Sequence, residues 1–312
     1  MDPDDLVGRA VRGERRAIAR LISLVEDGGP QLGDVMRALF PHTGSAYSIG
    51  ITGAPGAGKS TLTERVVARA RRDDHAVGVL AVDPSSPFSG GALLGDRVRM
   101  QSHATDPDVF IRSMATRGHL GGIALATPEA LRVLDAAGMS IVIIETVGVG
   151  QSEVEITDAC DTTIVVLNPG WGDAVQAGKA GLMEIADVFV VNKADRAGTK
   201  ETVREIRQML QMSDAEWKPE IVTTVAVKDE GTDELWAAVE KHRAYQEERG
   251  LLEERRRRRV AREIREIVAE RYRRRIDAEM SGLLADLVHD VHERRTDPYA
   301  AADRIVAALA AR

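Results

Sequence analysis

The chain of 312 residues contains one cysteine, Cys160. A lone thiol permits no disulfide within the chain and no cysteine-built metal cluster, and it suits a reducing compartment. Aromatic residues are scarce, at 4%, so few side chains are available for stacking on nucleobases. No apolar run approaches the roughly 18–20 residues needed to span a bilayer. The start, Met1-Asp2-Pro3-Asp4-Asp5, is acidic with no apolar stretch behind it, which is unlike a secretory leader. The seven histidines are scattered and no repeat is present. A formal net charge of −7 gives no general attraction for nucleic acid. A cytoplasmic location is expected, with neither membrane nor nucleic acid as partner.

A hydrophobic content of 44% is ample for one large core, or for a core with a helical appendage. Three zones are expected. In residues 1–45, Leu6, Ala10, Ala17, Ile18, Leu21, Ile22 and Val25 recur at helical spacing, and Gly28-Gly29 stops that pattern. In residues 46–243, short apolar runs at 47–52, 77–82, 109–113, 141–145, 162–168, 188–192 and 221–224 read as buried strands. Helical patterns at 59–71, 128–137, 200–211 and 234–243 alternate with most of them. Such alternation predicts an α/β fold with a mainly parallel sheet between helices, and ligands beyond the carboxyl ends of the strands. Residues 244–312 read as helix only, with Leu251, Leu252, Val260, Ile264, Ile267 and Val268 as an apolar stripe in an Arg/Glu-rich stretch.

The first expected strand runs into Gly53-Ala54-Pro55-Gly56-Ala57-Gly58-Lys59-Ser60, with Thr61 next. This is a complete G-x-x-x-x-G-K-S between a strand and a helix, the context that a phosphate-binding P-loop requires. The glycines allow backbone N–H groups to approach phosphate without a Cβ in the way. The helix beginning near Lys59 offers further unpaired N–H groups. Lys59 brings a cation to the outer phosphates, and Ser60 a hydroxyl to Mg²⁺. The sixth expected strand leads into Asn192-Lys193-Ala194-Asp195, an N-K-x-D pattern. Asp195 is an acceptor-only carboxylate, matched to the ring N–H and exocyclic amine of guanine. Lys193 can lay its stem along the base, and Asn192 can brace the loop. GTP and GDP are therefore the expected nucleotides.

Glu145 closes the apolar run Ile141-Val142-Ile143-Ile144, and Thr146-Val147-Gly148 follows. A carboxylate at a strand end beside a P-loop commonly holds Mg²⁺ through water. Gly148 can offer a backbone N–H to the γ-phosphate. Glutamate here, where many small GTPases carry aspartate, points to the SIMIBI class of P-loop proteins. Asp83, at the end of the second strand, reads either as a metal carboxylate or as the start of the turn Asp83-Pro84-Ser85-Ser86. Asp96 is a further candidate on spacing. Gln151 reads as a water-orienting residue or as a solvated side chain, and Arg97 as a candidate cation for the transition state.

Taken together, Asp83-Pro84-Ser85-Ser86, Leu94-Gly95-Asp96-Arg97, Glu145-Thr146-Val147-Gly148-Val149-Gly150-Gln151-Ser152-Glu153 and Asn192-Lys193-Ala194-Asp195 resemble the MeaB/ArgK family, which includes the methylmalonic aciduria type A protein. The segment 172–181, with Asp173, Gln176 and Lys179, is similar to the family's third switch, and Asp173 also reads as a helix cap. The resemblance covers nearly the whole chain. It implies Asp83, Asp96 and Glu145 around Mg²⁺, a homodimer to which the C-terminal arm contributes, and an adenosylcobalamin-dependent acyl-CoA mutase as partner, methylmalonyl-CoA mutase above all. GTP hydrolysis would then gate cofactor loading and protect or rescue the mutase, with the third switch transmitting nucleotide state.

The run Arg255–Arg259 invites a nucleic-acid reading, but Glu253, Glu254, Glu263, Glu266 and Glu270 interleave at pairing distance. A solvated helix face in a dimerisation or partner arm is the expectation. Two rivals remain: a metallochaperone GTPase, which would want a His-rich or Cys-bearing motif, and a nucleotide-gated scaffold in which hydrolysis is incidental.

Overall fold

The structure, a computed structural model, describes residues 3–29, 31–83, 103, 105–115, 122–146, 159–170 and 184–311, without the side chains of Asp83, Ala115 and residues 122–125. The chain forms two compact units, Met1–Arg259 and Val260–Arg312.

The first unit is built on seven strands: β1 (Tyr47–Gly53), β2 (Val77–Asp83), β3 (Val109–Ala115), β4 (Ile141–Thr146), β5 (Thr162–Leu167), β6 (Val188–Asn192) and β7 (Glu220–Thr224). They lie side by side in the order β3-β2-β4-β1-β5-β6-β7, and every pairing is parallel. Each residue of β1, β4, β5 and β6 is buried. That is why these segments read as unbroken apolar runs: helices cover both faces.

One face carries α1 (Pro3–Val11), α2 (Arg15–Asp27), α3 (Leu32–Leu39) and α5 (Gly122–Ala136), whose apolar residues form one core with Leu80, Val82, Val142 and Ile144. On α2 the buried set is Ala17, Ile18, Leu21, Ile22 and Val25, a single stripe, and Gly28 ends the helix in the left-handed conformation. Arg15 donates to the Val109 carbonyl at 2.7 Å, and Arg112 pairs with Glu26 at 2.6 Å, so α2 is fastened to β3. The other face carries α4 (Lys59–Arg72) and α7 (Thr232–Glu248), packed with Ile49, Ile51, Val79 and Ile143. A third cluster joins α6 (Thr199–Gln211) to β5 and β6 through Val165, Phe189, Val191 and Ile206.

Two helix boundaries differ from expectation. Helix α5 begins at Gly122 and contains Pro128 within it, although Pro128 reads in the sequence as a helix start. Beyond the first turn a proline removes one N–H bond of the helix, and this helix continues through that loss. Helix α7 starts at Thr232 and runs to Glu248, through residue 243.

At the amino ends of the strands, Asp161 is 1% exposed. Its carboxylate accepts from the Ser48 N–H at 3.0 Å, Arg256 Nη2 at 2.8 Å and Arg259 Nη2 at 3.0 Å. Burial pushes its pKa up, but the two guanidinium groups outweigh that and hold it below the usual carboxylate range. Arg255 reaches Asp187 Oδ2 at 3.0 Å. Beside them His242 is buried, with Nδ1 2.8 Å from Thr162 Oγ1 and Nε2 3.3 Å from Asp187. Three of the five arginines that read as a solvated face are thus spent on the sheet. Arg258 does pair in the open, with Glu254. Cys160 sits next to this cluster, fully buried, and burial pushes its thiol up to about 12, which makes it unreactive.

Helix α8 (Leu251–Glu279) starts in the first unit, and the second unit continues with α9 (Ser281–His292) and α10 (Pro298–Ala310). In that unit Val260, Ile264, Val268 and Tyr272 are exposed at intervals of four residues. Among the described residues no helix is long and apolar enough to cross a membrane.

Candidate nucleotide site at the carboxyl ends of the strands

Strand β1 ends at Gly53 and α4 begins at Lys59, so Ala54–Gly58 form the loop between them. Gly53 has φ 130°, and a Cβ there would stand 2.0 Å from the Val166 carbonyl oxygen of β5. Gly58 has φ 90° and would meet the Asn192 amide at 2.5 Å. Both glycines are therefore required by close packing as well as by backbone conformation. Lys59 is 6% exposed. Its ammonium lies over the loop and donates to the carbonyls of Gly53 at 2.8 Å and Ala54 at 3.0 Å. The loop is thus a collar of backbone with a cation at its mouth, followed by the first turn of a 14-residue helix. That arrangement can receive an anion.

The strand order sets β4 beside β1, with Ile51 level with Glu145. Ser60, in the first turn of α4, then meets Glu145: Oγ donates to Oε1 at 2.6 Å. A hydroxyl and a carboxylate are hard oxygen donors of the kind Mg²⁺ takes, so this pair fits such an ion. Strand β2 lies on the other side of β4, with Ala81 level with Glu145, which brings the end of β2 at Asp83 to the same edge. Among the described residues no three His, Cys, Asp or Glu side chains gather as a metal cluster. Asp96, Arg97, Gly148, Gln151, Asp173, Gln176 and Lys179 lie outside the described residues.

The N-K-A-D turn follows β6 two strands away from β1. Asn192 is 2% exposed. Its Nδ2 donates to the Ala57 carbonyl at 2.8 Å, and its Oδ1 accepts from Thr224 Oγ1 and the Ala226 N–H, both at 3.1 Å. One side chain thereby joins the phosphate loop, the N-K-A-D turn and the end of β7 with the residues just after it. Lys193 takes the left-handed conformation at φ 59° and donates from Nζ to the Gly56 carbonyl at 2.6 Å. Its stem roofs the loop. Asp195 is exposed.

The end of β7 and the residues after it carry no motif that marks them in the sequence. The Ala194 N–H donates to the Thr224 carbonyl at 3.0 Å, and Arg65 of α4 donates to the Ala226 carbonyl at 2.9 Å. Thr224 and Ala226 thus form the far wall of the N-K-A-D turn. They act mainly through backbone groups, which leave little mark in a sequence. Their one signal in the sequence is their place, at and just after the end of a strand that pairs in parallel with the N-K-A-D strand.

A family model described as Methylmalonyl Co-A mutase-associated GTPase MeaB matches residues 18–281. The chain belongs to the MeaB family of GTPases. A Pyrococcus abyssi protein named as a GTPase is 49% identical over 309 residues, covering 97% of this chain and 95% of that one. GTPase ArgK of Escherichia coli is 39% identical over 243 residues, 75% of this chain and 73% of its own. A crystal structure of an LAO/AO transport system kinase superposes with a TM-score of 0.73 at 27% identity, covering 98% of this chain and 97% of that one. The fold is that of a P-loop GTPase, and this MeaB-family member is a GTP-hydrolysing enzyme that binds guanine nucleotide.

Proposed function

We propose that this GTPase is a Mg²⁺-dependent chaperone of an adenosylcobalamin-dependent acyl-CoA mutase, with methylmalonyl-CoA mutase as first candidate. The observation that carries the nucleotide part is Asn192, whose amide ties the Gly56–Gly58 turn of the phosphate loop to the base turn. Phosphate and base sites are thereby one rigid receptor. The mutase part is supported by the family description, which names mutase association.

In this reading the backbone N–H groups of Gly53–Thr61 and the Lys59 ammonium hold the β- and γ-phosphates. Asn192, Lys193 and Asp195 hold guanine, Asp195 through its two acceptor oxygens. Ser60, Glu145, Asp83 and Asp96 would hold Mg²⁺, which supplies charge stabilisation to the phosphates. Water attacks the γ-phosphorus, the bond from phosphorus to the bridging oxygen breaks, and GDP and phosphate leave. Lys59 and the loop amides stabilise the charge that moves to the bridging oxygen. Gly148 reports the γ-phosphate, and Asp173, Gln176 and Lys179 convey nucleotide state to the mutase. Residues 1–45, 46–243 and 244–312 divide into helical lead, GTPase domain and dimerisation arm, and the working form is a homodimer.

The test is phosphate release at multiple turnover with and without purified mutase, alongside mutase recovery on the GTPase loaded with GDP or a non-hydrolysable GTP analogue. Recovery that changes with nucleotide, and release that rises with mutase, are expected. Release with no mutase bound in either state would sink the chaperone reading and leave the GTPase intact.

A further inference from the structure

Two threonines stand where the strands carrying the phosphate loop and Glu145 run out. Thr52 precedes Gly53 on β1, and Thr146 follows Glu145 on β4. Thr146 Oγ1 donates to Thr52 Oγ1 at 2.9 Å. Their exposures are 1% and 0%. Side chains alternate across a strand, so this pair faces away from α4, on the side where Val82, Val142 and Ile144 join the core of α1, α2, α3 and α5. Glu145 faces α4 and Ser60. The hydroxyl pair therefore sits directly behind the carboxylate, one residue along the chain on each strand.

Valine has nearly the shape of threonine, suits a buried strand better and costs no desolvation. Among the described residues the two hydroxyls return one hydrogen bond, to each other, which contributes little net stability. What a hydrogen bond adds is direction. It fixes how the ends of β1 and β4 sit against each other, where methyl contacts would tolerate sliding. Those two ends carry Gly53 on one side and Glu145 on the other.

We propose that the Thr52–Thr146 pair is a positioning element that holds the Glu145 carboxylate against the Ser60 hydroxyl and so sets the affinity of this site for a divalent cation. The inference rests on the Mg²⁺ reading given above. Neither threonine touches nucleotide or metal in it; both act through the strand ends.

The test uses the full-length protein with Thr52→Val, Thr146→Val, the double variant and Thr146→Ser. A fluorescent GTP analogue is titrated in EDTA and again across a Mg²⁺ series, and each variant's melting temperature is recorded. Each single valine should raise the half-saturating Mg²⁺ by roughly threefold to tenfold, with binding in EDTA unchanged. The double variant should be no worse than the worse single, because the same bond is lost only once. Thr146→Ser keeps the hydroxyl and should keep the wild-type Mg²⁺ requirement, which separates the bond from a packing defect even if a valine variant folds poorly. Single variants with an unshifted Mg²⁺ requirement, beside a wild type that does respond to Mg²⁺, would overturn this inference alone. A wild type indifferent to Mg²⁺ would overturn the metal reading and this one with it.

Discussion

Removing the Asn192 side chain should loosen the grip on guanine nucleotide far more than it weakens the fold. Asn192→Ala deletes three hydrogen bonds: one to the Ala57 carbonyl at 2.8 Å, and two received from Thr224 Oγ1 and the Ala226 N–H at 3.1 Å. At about 0.5–1.5 kcal/mol net for each bond, the loss is about 2–4 kcal/mol. Part of that will appear as stability. The remainder belongs to binding, because the bonds hold the phosphate loop, the base turn and the Thr224–Ala226 wall in mutual register, and bound nucleotide would need all three at once. If all of it appeared in binding, the Kd for GDP would rise by about thirtyfold to a thousandfold. The assay is stopped-flow dissociation of a fluorescent GDP analogue with equilibrium titration, and a thermal melt as control. Dissociation should quicken more than association slows. A change in Kd below about threefold, with an unchanged melting temperature, would refute the claim that Asn192 couples the two halves, since bonds of this number in a buried site cannot vanish at no cost.

Three further outcomes follow from the same geometry. Asp195→Asn replaces an acceptor by a donor; GTP affinity should fall by roughly a hundredfold or more and xanthosine triphosphate should gain, and an unchanged guanine preference in competition binding would remove Asp195 from the base site. Gly53→Ala places a Cβ 2.0 Å from the Val166 carbonyl at φ 130°; β1 and β5 would have to part at a cost of at least about 3 kcal/mol, so soluble protein with a wild-type melting temperature would contradict the packing described. His242 is held below its ordinary pKa of 6.5 by burial, with Asp187 opposing and Arg255 assisting. The unfolded chain therefore takes the proton first, and stability from the neutral imidazole, full above about pH 6.5, is lost as pH falls through the lower folded pKa. Urea midpoints from pH 7.5 to 5.5 should decline, and decline less in His242→Gln; Asp161 contributes nothing to that slope, because its carboxyl titrates below 3.8.

The sequence carried the strands well because this sheet is buried on both faces, and continuous burial leaves continuous apolar runs such as Ile141-Val142-Ile143-Ile144. It carried the phosphate loop for a different reason. Gly53 and Gly58 are positions where only the absence of a side chain permits the packing, so the constraint is written in residue identity. Helix α5 was less legible. Pro128 signals a start, and nothing local reveals that the helix begins six residues before it. The amino-edge cluster was misleading in another way. Arg255, Arg256 and Arg259 look like any charged helix face until the partners Asp161 and Asp187, 68 to 98 residues away, are brought beneath them.

Strand order explains what joins these pieces, and no local pattern states it. Chain order alone would put β2 next to β1. The observed order instead inserts β4 between them. This insertion sets Glu145 beside the phosphate loop, in reach of Ser60, and leaves the end of β2 as the next edge out. Had β2 paired with β1 directly, Glu145 would have stood one strand further from Ser60. The two acidic strand ends are thus distinguished by topology, and substitution should tell them apart: Glu145→Gln alters a group already bonded to Ser60, whereas Asp83→Asn alters one strand further out. If Glu145 is the inner carboxylate, Glu145→Gln should weaken Mg²⁺-dependent nucleotide binding more than Asp83→Asn does. The reverse ranking, in the same Mg²⁺ titration, would mean that position along the sheet does not decide which carboxylate the metal depends on.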